Sequence, residues 1–178
     1  METFLDISKY ILPSLVVMIT AYFLVRSFLE NDQRKRESRE KEEMDKAIIT
    51  LRLQAYERML LFLERIAPAN LILRVSQPEM NAGQLQSVLL RTIREEFDHN
   101  LTQQLYLSDE AWQRIKNAKE ELIMLINTVS ARIEPDSPSH ELASAMFDDM
   151  MNAKEFSVEK ALTHLKKEFR DVMNQKND

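Results

Sequence analysis

The chain has 178 residues, 24 lysines and arginines against 29 aspartates and glutamates, a formal net charge of −5, one glycine and no cysteine. The acidic balance argues against broad contact with nucleic-acid phosphates, and a lone glycine argues against a sheet built on tight hairpins. The absence of cysteine fits a reducing compartment.

Tyr10 to Val25 (YILPSLVVMITAYFLV) is an uncharged, mostly apolar run of 16 residues. As a helix it covers about 24 Å at about 1.5 Å per residue, against a bilayer core of about 30 Å. Ile7 and Ser8 on one side and Phe28 and Leu29 on the other close the gap, with Lys9 and Arg26 snorkelling to the interface. Tyr10 and Tyr22 lie towards the two ends, where aromatic rings favour the headgroup zone, and Pro13 sits near the start, where its missing N–H costs least. The run predicts a single membrane anchor over residues 1–29. A cleaved signal peptide would need a basic start and a small-residue cleavage site, whereas Glu2 and Asp6 precede the run and Val25-Arg26-Ser27-Phe28 follows it. A buried core helix is the other reading, because the run is short for a span.

Arg26, Arg34, Lys35, Arg36, Arg39 and Lys41 follow the run, while only Lys9 and the α-amino group precede it. The positive-inside rule then places the N-terminus outside and the remainder in the cytoplasm. Glu30 to Lys46 (ENDQRKRESREKEEMDK) pairs charges at helical spacing, Arg36 with Glu40, Glu37 with Lys41, Arg39 with Glu43 and Glu42 with Lys46. With no a/d apolar seam, residues 30–47 predict a charged, solvated helical stalk whose basic half could also touch anionic lipid heads.

Residues 48–178 predict a cytoplasmic helical domain of four to five helices, bundle-like, so the fold class is all-α throughout. The first helix runs from Ile48 to Ala67 and stops before Pro68. Asn70 to Val75 is a short connection, extended or a single turn. The second helix opens at Asn81, with Gln84 completing a capping-box pattern, and runs to about Leu105. Ser108 caps the third, which carries Asp109 and Glu110 in its first turn and ends near Ile133. A fourth starts with Ser137 as cap and Pro138 at its first position and ends near Asn152. Ser157 caps the fifth, with Val158, Ala161, Leu162, Leu165, Phe169 and Val172 as its stripe.

No catalytic constellation stands out: there is no G-x-S-x-G and no glycine-rich phosphate loop. Glu96-Phe97-Asp98-His99 matches the E-x-x-H pattern of di-iron bundles, but such sites need two copies and this chain has one, so neither metal nor cofactor is assigned. The apolar side of the second helix, Leu85 to Leu101, takes in Glu96 and Asn100, with His99 at its edge. Lys119 falls inside the stripe of the third helix, and Arg52 points to the side of the first that carries Tyr56, Met59, Leu63 and Ile66. Groups of opposite charge on core-facing stripes should find one another, because an unpaired buried charge costs several kcal/mol. Arg52, Glu96, His99, Asn100 and Lys119 are therefore the candidate polar network, with Glu96 expected to be mostly buried against Arg52 or Lys119. Leu61 and Met124, on charged helix sides, together with Met150 and Met151 on a methionine-rich face, are the candidate interaction surface.

Leu51 to Ile66 (LRLQAYERMLLFLERI), Ile93 to Leu101 (IREEFDHNL) and Ser108 to Glu121 (SDEAWQRIKNAKEE) resemble an uncharacterised family of short single-pass proteins from Bacteroidota. The resemblance implies architecture and an inner-membrane setting, and no activity. The reading that follows is a non-enzymatic, membrane-anchored helical adaptor that binds a protein partner or itself. The alternative is a small-ligand sensor or enzyme using a polar pocket around Glu96, His99, Asn100 and Lys119.

Overall fold

The computed structural model describes residues 2–152 and 157–174, with side chains from residue 15 on, that of Asn152 excepted. Among these residues the chain is all-α, with six α-helices, one 3-10 helix and no strand. It divides into two compact units, Met1–Ile48 and Ile49–Asp178.

The first unit lies within α1 (Glu2–Ile66). Its large apolar side chains from Leu15 to Leu29 are between 43% and 72% exposed, so residues 15–29 are not a core helix. Among the described residues no helix is long and apolar enough to cross a membrane. The side chains of Tyr10 to Ser14, with which the expected anchor begins, lie outside the described residues. Beyond the apolar run, Glu42 pairs with Lys46 at the expected spacing, whereas Arg36 turns back to Asp32 instead of reaching Glu40.

In the second unit, α1 contributes Tyr56, Met59, Phe62, Leu63 and Ile66 to the core. The helix does not begin at Ile48 as expected, because nothing there breaks it: no proline, glycine or cap interrupts the stretch. It ends at Ile66 through the restriction that Pro68 places on Ala67, whose ψ of 127° is extended. The connection after it is α2 (Pro68–Val75), a helix of eight residues and not a single turn. Proline at its first position costs no hydrogen bond, and Pro68, Leu71 and Ile72 share a buried face at helical spacing. Asn70 Nδ2 donates to the carbonyl of Glu64 at 2.9 Å, which satisfies one of the orphan acceptors at the end of α1.

α3 (Ala82–His99) buries Leu85, Leu89, Ile93 and Phe97, one every fourth residue. Its capping box forms in full, Asn81 Oδ1 accepting from Gln84 N at 2.8 Å and Gln84 Oε1 from Asn81 N at 3.1 Å. The other free donors of its first turn find carbonyls in the loop before α5: Ala82 N donates to Ser137 O at 2.7 Å and Gly83 N to Pro135 O at 2.9 Å. Asn81 and Pro138 form an isolated antiparallel bridge there. α3 stops at His99, so Leu101 leaves the expected stripe and is 43% exposed, and a 3-10 turn (Leu101–Leu105) follows. α4 (Asp109–Ser130), capped by Ser108, buries Ala111, Ile115, Ala118, Leu122, Ile126 and Val129 and packs against α3, α5 (Ser139–Asn152) and α6 (Ser157–Asn174). α5 starts at Ser139, later than expected, because Ser137 O accepts from Ala82 N and Ser139 N donates to Met80 O, which holds Pro138 in the bridge with Asn81.

Candidate functional site

Glu96 sits one residue before Phe97, whose ring is buried between Phe62 and Trp112 at centroid distances of 5.8 and 5.3 Å. That register turns the Glu96 carboxylate towards α1 and α2, where its side chain is only 19% exposed. Arg74 Nη1 donates to Oε1 at 2.9 Å, and Arg65 Nη1 lies 3.2 Å from Oε2. Burial disfavours the charged form, but the hydrogen bonds from Arg74 and Arg65 outweigh it and hold the carboxyl below its ordinary range. Glu96, expected to be mostly buried against Arg52 or Lys119, is partly buried, and its partners are Arg65 and Arg74. One carboxylate thereby ties α1, α2 and α3 together.

The rest of the expected network disperses. Lys119 is also withdrawn from solvent, but its Nζ lies 4.3 Å above the centre of the Phe97 ring and 2.8 Å from Glu120 Oε1. The cation therefore has two stabilising partners, the aromatic face and the Glu120 carboxylate, and neither is Glu96. Asn100 spends its amide on the helix end, Nδ2 donating to the carbonyl of Glu96 at 2.8 Å. His99 is exposed. Arg52 is half-buried, and its charge acts on Tyr56. Glu96, His99 and Asn100 do share a groove of about 510 Å³, completed by α1 residues that include Leu61, Phe62 and Arg65. Among the described residues no group of three or more His, Asp or Glu is disposed to hold a metal ion.

A second polar cluster was not anticipated. Glu168 of α6 accepts from Tyr56 Oη at 3.0 Å and from Ser108 Oγ at 2.7 Å, so one side chain joins α1, the cap of α4 and α6. Burial, then the Glu168 charge, pushes the Tyr56 phenol up. His164 Nε2 lies 3.4 Å from Glu168 Oε1 and Nδ1 lies 3.9 Å from Glu110 Oε1. Glu110 is held below its ordinary range first by its hydrogen bond from Arg114 and then by the His164 charge. Two signals could have revealed the cluster. A tyrosine on a core stripe needs a partner for its hydroxyl, and His164 and Glu168 are spaced i, i+4 on one helix face.

Of the candidate interaction residues, Leu61, Met124 and Met151 are 53%, 67% and 85% exposed. Met150 is not part of that surface. It continues the buried face of Leu142 and Met146 at i+4 and packs against the core.

Residues 2–172 match a family described as a family of unknown function, DUF7935, and the chain belongs to that family. No curated protein and no solved structure matches it.

Proposed function

We propose that this member of the DUF7935 family is a non-enzymatic adaptor anchored in a bacterial inner membrane, with residues 49–178 as a cytoplasmic binding domain for a protein partner or a second copy. The observation that carries the reading is the exposed apolar surface of α1 from Leu15 to Leu29, which in water would be left without cover. It is continuous in sequence with the uncharged residues from Tyr10, and a basic segment follows it, the pattern of a single-pass anchor with its C-terminal side inside. The resemblance to single-pass proteins of Bacteroidota agrees with this setting. Exposed Leu61, Met124 and Met151 give the domain apolar points of contact.

An enzyme or ligand sensor built on Glu96 is the weaker reading. A general base works best with a pKa near the operating pH, whereas two guanidiniums hold this carboxylate ionised and engaged. Reporter fusions after Asp178 test the anchor and its direction. A reporter active only in the cytoplasm should work there, and the protein should resist alkaline extraction from membranes. Activity of a periplasm-dependent reporter at that position would reverse the topology, and release at high pH would remove the anchor.

A further inference from the structure

His164 has no part in the reading above, yet it is the most constrained histidine of the chain. Its side chain is 18% exposed, and Nε2 is buried with no hydrogen-bond partner among the described residues. The two ring nitrogens face two carboxylates on different helices, Nε2 facing Glu168 of α6 at 3.4 Å and Nδ1 facing Glu110 of α4 at 3.9 Å. A neutral imidazole carries one N–H and one lone pair. Whichever tautomer forms, one carboxylate oxygen meets a lone pair. Only the imidazolium donates in both directions.

We infer that His164 is a proton-operated latch, whose imidazolium bridges Glu110 and Glu168 and tightens α6 onto α4 and, through Glu168 and Tyr56, onto α1. Glu168 already receives the hydroxyls of Tyr56 and Ser108, so a third donor completes a hub that joins three helices. The charged surroundings are mixed. Arg114 of α4 and Lys160 and Lys167 of α6 line a groove of about 420 Å³ with His164 and oppose a further positive charge, as does Arg52, acting on the hub from α1. Arg114 is itself bound to Glu110 at 2.8 Å, and Glu159 also lines the groove. The two carboxylates lie within 4 Å of the ring nitrogens, and the contact at Nε2 is shielded from water, where charge pairs are screened least.

The sign follows from which form gains partners. The protonated form does, so the added protection of α6 belongs to the imidazolium and is lost when the ring gives up its proton at higher pH. The test is hydrogen exchange of the full chain in detergent micelles at about pH 8 and about pH 5.5, on either side of the usual histidine range. Protection factors, corrected for the intrinsic pH dependence of exchange, are compared for peptides of α6 and α5, and a nitrogen-15 spectrum of the His164 ring reports its protonation at each pH. Protection of α6 should be at least about fivefold greater at the lower pH, with α5 unchanged, the effect of one net hydrogen bond. His164→Gln, neutral at both values, should abolish the difference, and Glu168→Gln should reduce it while keeping a side chain that can bond Tyr56. Equal protection of wild-type α6 while the ring demonstrably titrates would overturn the latch. So would a difference that persists in His164→Gln.

Discussion

At Glu96 a single carboxylate answers two arginines that are themselves 49% and 38% exposed, which places its energetic weight between an open surface pair and a buried one. Glu96→Ala should cost about 1–2 kcal/mol on that interpolation, measured by chemical denaturation. Glu95→Ala should do almost nothing, because Glu95 is exposed and its Arg91 partner is 3.9 Å away. A depressed carboxyl contributes stability above its unfolded pKa and loses it as pH falls through the folded one. The gap between wild type and Glu96→Ala should therefore close on acidification, and a gap that widened would refute the pairing. Helical spacing put Glu96 on the apolar side of its helix, where the side chain is partly buried. It could not name the partners, because Arg65 and Arg74 reach the site from positions that look solvated on a wheel. A long side chain is not confined to the face of its own Cβ.

Among the helices, α3 depends most on distant chain. Gly83, the one glycine, does not adopt a left-handed conformation; it is small because a Cβ there would meet Pro135 Cβ at 3.3 Å and Pro135 O at 3.4 Å. Alanine would ordinarily favour a helix by about 1 kcal/mol over glycine. Here Pro135 is held by its own bond to Gly83 N, so a clash of about 2 kcal/mol, in the middle of the range of overpacking costs, should outweigh that gain and leave Gly83→Ala about 1 kcal/mol less stable. Thermal melting decides it, and a more stable variant would mean the loop yields freely. The capping box at Asn81 and the buried stripes of α3, α4 and α6 were legible because caps and 3.6-residue periodicity are local rules. The helix at Pro68–Val75 and the late start of α5 were not. The first depends on a buried face too short to show a period, and the second on a loop that belongs to another helix's end.

At the scale of the molecule, the division at Ile48 separates an exposed helix from a domain with a continuous core. Residues 49–178 expressed alone should be helical by circular dichroism and unfold in one cooperative transition. A fragment that aggregates or melts without cooperativity would show that the core needs the preceding residues. The amphipathic faces of α3, α4 and α6 were available from the order of apolar residues alone. Which helix lies against which was not: the contact of Glu168 with Tyr56 joins positions 112 residues apart, and no periodic pattern encodes such a pairing.

The segment from Glu134 to Pro138, with its prolines and serine, looks like the natural place to cut the chain or splice in an epitope tag. Its backbone, however, is the surface on which another helix begins: Pro135 and Ser137 lend their carbonyls to α3, and Ser139 N donates to Met80 O at 3.1 Å. Tolerance of insertion follows the hydrogen bonding of the affected backbone and not its composition. A tag placed there would unseat the start of α3 some fifty positions upstream.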